Sequence, residues 1–139
     1  LPRKGRARQE RLAELGTERR TTVIFEAPHR VRQTVTDLAA TLGEHRRVAV
    51  ARELTKYFED TWRGTLGRAV EHLDAVEPRG EYVLVVDGAP APERPGEDAV
   101  EDALRSRIAA GSDKRAAIAE VATELSLPKR EVYEVATRL

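Results

Sequence analysis

The stretch VARELTKYFEDTWRGTL, residues 50–66, sets Arg52, Glu53 and Lys56 directly behind a short apolar run, Val48 to Ala51. A guanidinium and an ammonium at that spacing could hold a phosphate or raise the local positive potential. Glu53 stands between them, where pairing with a neighbouring cation is the simplest reading. Two other apolar runs end in the same manner, FEAPHR (25–30) and VDGAP (86–90). In open α/β sheets ligands gather at the carboxyl ends of parallel strands, so three such ends sketch a site. Ordinary solvated turns share the pattern. Arg30 could add to the positive potential. Glu26 and Glu53 could form a carboxylate pair, although arginines stand beside both and an ion pair is the simpler partnership. His29 follows Pro28 and reads as a helix-start or packing residue. Trp62 lies in an alternating segment and reads as core.

These residues sit in a chain of 139 residues that is 40% apolar and 35% charged, with 24 Lys/Arg against 24 Asp/Glu. Length and composition fit one globular domain with a small appendage. A formal charge of zero supplies no whole-molecule field toward nucleic acid or membrane. Without cysteine there is no disulfide, zinc thiolate or thiol nucleophile. Three scattered histidines, His29, His45 and His72, do not suggest a metal site. No apolar run approaches membrane-span length and no signal peptide is visible, so a cytoplasmic protein is expected. The chain contains no methionine and starts at Leu1, from which a preceding N-terminal part is expected.

The elements that must position the site follow from periodicity. Arg8 to Leu15 suits a short helix closed by Gly16. Thr21 to Ala27 is a β-branched, apolar run, and Pro28 opens a helix with Val31, Val35, Leu38, Ala39 and Leu42 on one face, ended by Gly43. Val48 to Ala51 is a second buried strand. Tyr57 to Gly64 alternates in polarity, Phe58 and Trp62 against Glu59, Thr61 and Arg63, as a half-exposed strand would. Leu66, Ala69, Val70, Leu73 and Val76 mark another helix, and Tyr82 to Val86 the last strand. The order β-α-β-β-α-β predicts a small mixed β-sheet, parallel and antiparallel, flanked by helices. GAPAPERPG (88–96) reads as a linker. Beyond it all periodicity is helical, with faces at Val100/Leu104/Ile108, Ile118/Val121/Ala122/Leu125 and Val132/Val135/Ala136/Leu139. The expected organisation is therefore a basic connector (1–20), an α/β domain (21–88), a Pro-rich linker (89–97) and a three-helix extension (98–139).

Residues 1–20 carry seven Lys/Arg against three Glu, and Arg3, Lys4, Arg6 and Arg8 could bind a nucleic-acid backbone. No aromatic residue interrupts them, so base readout is not indicated. In the extension Ala122, Ser126, Val132 and Val135 are spaced as in a helix-turn-helix, with Ser where glycine usually makes the turn. A bare three-helix packing accounts for the same apolar positions.

In order and spacing, LPRKGRARQERL, TTVIFEAPHRVRQTVTDL, VAVARELTKYFEDTWRGTL and RGEYVLVVDGAP resemble the C-terminal half of the bacterial 16S ribosomal RNA cytidine 2′-O-methyltransferases, a branch of the tetrapyrrole-methylase-like enzymes. KRAAIAEVATELSLPKREVYEVATRL is similar to that family's helical extension. The resemblance covers nearly the whole chain. It implies an enzyme that binds S-adenosylmethionine between two α/β domains, the first of which is absent here, so that this chain alone is expected to be inactive. Phe25, Glu26, Ala27, Ala51, Arg52, Asp87 and Gly88 would then touch the cofactor. Arg52 or Lys56 would stabilise the developing alkoxide, oriented by Glu53, and Arg3, Lys4, Arg6, Arg8 and Arg30 would meet RNA. Implied partners are 16S ribosomal RNA in the small subunit, the protein's own N-terminal domain and a second copy in a homodimer. A nucleic-acid-binding module built on the tail and a small-molecule, tetrapyrrole-type methyltransferase remain as other readings.

Overall fold

The computed structural model describes all 139 residues, and the chain divides into two compact units, Leu1–Ala91 and Pro92–Leu139. In the first, α1 (Gly5–Thr17) precedes β1 (Thr22–Glu26), α2 (Pro28–Leu42), β2 (Arg47–Arg52), β3 (Asp60–Thr65), α3 (Leu66–Asp74) and β4 (Tyr82–Val86). Pro28 begins α2, where its missing N–H costs nothing. Gly43, at φ +99°, ends it in a conformation that suits only glycine. Thr65 caps α3, its Oγ1 accepting from the Arg68 amide at 3.3 Å.

The sheet order is β1-β4-β2-β3, and every neighbouring pair is antiparallel. The α/β class and the β-α-β-β-α-β order hold, but the expected parallel pairing does not. Each helical crossover links two strands of the same direction, and another strand is inserted between them. Thus β4 separates β1 from β2, and β2 separates β3 from β4. The helices also cover one face only. Ile24, Leu84 and Val50 form a row of the core on that face, packed with Val31, Val35 and Leu38 of α2 and Leu66, Ala69 and Leu73 of α3. The opposite face carries Val23 and Phe25 in the open, 54% and 78% exposed. Trp62 lies on the covered side, partly buried, its indole stacked on His72 at 5.0 Å.

Residues 1–20 are no loose basic connector. Leu12 and Leu15 of α1 belong to the core, and Arg8 is buried. Its guanidinium donates to Asp37 at 2.8 Å, to Thr34 Oγ1 at 3.2 Å and to the Pro2 carbonyl at 2.9 Å. Arg8 therefore joins α1 to α2 and is not available to RNA, contrary to the expectation from charge alone. Arg30 is similarly held, against Glu26 at 3.7 Å and the Leu1 carbonyl at 3.3 Å. Arg6 pairs with Glu10, while Arg3 and Lys4 stay exposed.

In the second unit, α4 (Glu97–Ala109), α5 (Lys114–Glu124) and α6 (Lys129–Ala136) pack around Val100, Leu104, Ala117, Val121, Val132 and Ala136. Asp113 caps α5 through the Ala116 amide at 2.8 Å. Ser126 adopts the left-handed conformation, φ +53°, between α5 and α6. That is the backbone state for which a helix-turn-helix normally uses glycine.

Candidate functional site

The antiparallel order decides which strand ends meet. Glu26 at the end of β1 and Arg52 at the end of β2 are both opposite Tyr82, the first residue of β4. Phe25, Glu26, Ala27, Ala51 and Arg52 therefore lie at one end of the sheet. Val86 is instead opposite Thr22 and Val48. Asp87 and Gly88 consequently fall at the other end, about 17–20 Å away at ~3.4 Å per residue. There they close the fold: the Asp87 amide donates to Arg47 O at 3.0 Å, and a Cβ on Gly88 would meet Arg19 O at 1.8 Å. The expectation that three strand ends form one site fails for this pair, because β4 runs against β1 and β2.

Side-chain alternation separates the remaining residues further. Phe25, Val83, Ala51 and Thr61 form one row across the open face, by register. Glu26, Tyr82 and Arg52 form a row on the helix-covered face. Glu26 is spent there: its carboxylate accepts from Thr34 Oγ1 at 2.7 Å and from the Ala27 amide at 3.1 Å, in a residue only 8% exposed. It belongs to the core and does not line a cofactor cleft.

Behind Arg52 the chain does not continue as a strand. Glu53 and Thr55 take left-handed φ values, +51° and +66°, and the Lys56 amide turns back to Glu53 O at 3.0 Å. The alternation of residues 57–59 thus belongs to a turn, and β3 starts only at Asp60. Glu53 prolongs the β2–β4 ladder with its own atoms. Its amide donates to Glu81 O at 2.9 Å, and its Oε1 accepts from the Glu81 amide at 2.8 Å. Lys56 Nζ then bridges Glu53 at 2.8 Å and Glu81 at 3.0 Å. This ammonium, followed by the Glu81 amide, holds the Glu53 carboxyl below the usual carboxylate range, and the two carboxylates raise Lys56. Glu53 is thus ionised and engaged at neutral pH, suited to hold the loop and not to accept a proton.

This clasp forms one side of a cleft of about 590 Å³ lined by Arg52, Glu53, Lys56, Tyr57, Phe58 and Arg79, with Gly80 at its base. Arg52 Nε is buried and has no hydrogen-bond partner. Tyr57 and Phe58 stand out into solvent, 93% and 72% exposed, edge to face at 5.0 Å. Two exposed aromatic rings beside guanidinium groups form a surface on which bases or other planar groups can stack. Neither Tyr57 nor Arg79 stands out in the sequence, where Phe58 reads as a strand partner of Trp62. The available signal was two adjacent aromatics between Lys56 and Glu59, too polar a neighbourhood to bury them.

Gly80 makes the clasp possible. At φ +74° it is left-handed, and a Cβ there would sit 1.6 Å from Glu53 Oε1. Gly80→Ala is expected to lower the melting temperature of the first unit by roughly 5–15 °C, from strain of about 1–3 kcal/mol. Trp62 fluorescence follows that unit specifically, since it holds the chain's single tryptophan. Gly5→Ala, at φ +76° with nothing within 4 Å, isolates backbone strain from the clash and should shift the melt less. Equal shifts would show that Glu53 yields freely.

No helix is long and apolar enough to cross a membrane. Residues 1–70 match the family model described as Tetrapyrrole (Corrin/Porphyrin) Methylases. The protein named Ribosomal RNA small subunit methyltransferase I of Synechocystis sp. is 43% identical over 141 residues, covering 100% of this chain and 50% of that relative. Proteins of the same name from Halalkalibacterium halodurans and Bacillus subtilis are 35% and 34% identical over 97% and 96% of this chain, and 48% of each relative is covered. The chain spans about half the length of the curated relatives it matches. With the family model matching half the sequence and similarity to these methyltransferases running along all of it, the chain belongs to the tetrapyrrole (corrin/porphyrin) methylase family.

Proposed function

We propose that this chain is the C-terminal half of an S-adenosylmethionine-dependent enzyme that methylates a cytidine ribose 2′-hydroxyl in small-subunit ribosomal RNA. The observation that carries the reading is the cleft behind β2, where a buried Arg52 Nε without a protein partner shares the lining with two solvent-facing aromatic rings. Similarity to relatives named as ribosomal RNA methyltransferases supports RNA as the substrate class.

Phe25 and Val83, beside Ala51 on the open face, give an apolar shelf that fits an adenine face, while Arg52 projects on the other side of β2, toward the cleft lined by Tyr57 and Phe58. These residues fit one wall of a cofactor cleft, with Ala27 at its rim. In this reading the other wall comes from an N-terminal half, which with this chain makes up the complete enzyme. S-adenosylmethionine, when bound, would supply an electrophilic methyl group on a sulfonium whose leaving group is a neutral thioether. What this chain contributes is position and charge. Tyr57 and Phe58 stack the target or a neighbouring base, and Arg52 stabilises the negative charge that develops on the ribose oxygen. Glu53 and Lys56 hold the loop that presents them. Arg3 and Lys4 remain free to contact the RNA backbone.

The test is methylation of small-subunit RNA by the complete enzyme with methyl-tritiated cofactor, followed by alkaline digestion. A 2′-O-methyl removes the internal nucleophile of alkaline cleavage, so label in an alkali-resistant dinucleotide containing cytidine supports the reading. Label on a base, or transfer to a tetrapyrrole and none to RNA, contradicts it.

A further inference from the structure

The second unit holds eight Lys/Arg and ten Asp/Glu, a net charge of −2 that argues against nucleic-acid binding when averaged. The charges are not averaged in space. Arg94, Arg105, Arg107, Arg130 and Arg138 each pair with a glutamate of the same unit. The three cations left without a carboxylate are Lys114, Arg115 and Lys129, and all three line one groove of about 550 Å³ with Ile118, Ala119 and Tyr133. Tyr133, 57% exposed, lies one helical turn beyond Lys129 on α6. Its ring offers a flat apolar surface between the two basic rims. Helix stability does not account for the cations. Lys114 and Arg115 open α5 and Lys129 opens α6, where the macrodipole disfavours positive charge, whereas α4 begins with Glu97 and Asp98. The carboxylate nearest in sequence, Asp113, is occupied in capping α5.

We propose that this groove between α5 and α6 binds single-stranded RNA, with phosphates against Lys114, Arg115 and Lys129 and one base stacked on Tyr133. The left-handed turn at Ser126 fixes the angle at which α6 presents Lys129 and Tyr133 to α5. The substrate class rests on the ribosomal RNA reading of the first unit, but the groove needs no methyl transfer to be tested. It would give the enzyme a second hold on its RNA, in addition to the cleft behind β2.

The experiment measures binding of the whole chain to a fluorescein-labelled single-stranded RNA oligonucleotide by anisotropy across a salt series. Replacing Lys114, Arg115 and Lys129 together by Ala should reduce the slope of log affinity against log salt by about 2, at ~0.7 for each phosphate no longer neutralised. Replacing Arg105, Arg130 and Arg138 by Ala changes net charge equally and should leave the slope within scatter. Tyr133→Ala should weaken binding roughly 5- to 100-fold with the slope unchanged, and Tyr133→Phe should restore it. All these side chains are exposed, and melting curves matching the parent's confirm folding. An unchanged slope in the first triple variant, equal loss in both triples, or no RNA binding by the parent at low salt overturns the proposal. Preserved RNA binding through this groove in a complete enzyme that transfers no methyl to RNA would refute the function proposed above and leave this inference standing.

Discussion

Arg52→Ala in the complete enzyme is expected to slow single-turnover methyl transfer on the order of 10²-fold, the usual cost of removing one donor to developing charge. Stability should hardly change. Arg52 ends β2 on the helix-covered side, yet its Nε finds no partner in the protein. A buried N–H without a partner costs about 1–3 kcal/mol, so truncation relieves a penalty while it removes packing by the side-chain stem. Activity and melting temperature should therefore separate, a combination that an ordinary structural arginine does not give. Arg52→Lys keeps the charge but loses the planar fork and should recover only part of the rate. Single-turnover rates beside thermal melts make the comparison. Rates within about twofold of wild type for the Ala variant would show that the end of β2 is an ordinary turn.

Replacing both Tyr57 and Phe58 by Ala should weaken RNA binding to the complete enzyme roughly 10²-fold, on the basis of about 1–3 kcal/mol for each stacked base. Neither ring supports the core, since both are exposed and stand edge to face with each other. The fold should survive unaltered. Tyr57→Phe should bind nearly as well as wild type, because stacking uses the ring and not the hydroxyl. Lys56→Ala is the informative contrast. Its ammonium already bridges Glu53 and Glu81, so its removal should loosen the loop that carries both rings. RNA affinity measured by anisotropy, with folding checked by circular dichroism, decides the matter. Undiminished affinity in the double variant would remove the aromatic pair from the site.

The element order was legible because periodicity is a local property: Val31, Val35 and Leu38 announce α2 and Tyr82 to Val86 announce β4 without help from elsewhere. Strand direction is not local. Nothing within β4 states that it will enter between β1 and β2, and that insertion alone moves Asp87 and Gly88 to the far end of the sheet. The turn after Arg52 was hidden for another reason. Its left-handed residues are Glu53 and Thr55, where glycine would have signalled the bend, and the alternation around Phe58 imitates a strand. Charge misled at Arg8, since its partner Asp37 becomes a neighbour only after α1 docks on α2, whereas Glu26, four residues before Arg30, was a partner within local reach. In the tail, the balanced composition concealed an unbalanced surface, because ion pairs consume five arginines and leave the cations of one groove without a carboxylate.

Whether this chain is one half of an RNA-methylating cleft is decided by following tritiated methyl transfer to small-subunit RNA for the complete enzyme and for this chain alone, at equal concentration. The expected outcome is label in an alkali-resistant cytidine dinucleotide with the complete enzyme and none above background with the chain alone, whose melting curve nevertheless shows a folded protein. Methyl transfer to RNA by the chain alone, or none by the complete enzyme, would show that the cleft is not shared in this way.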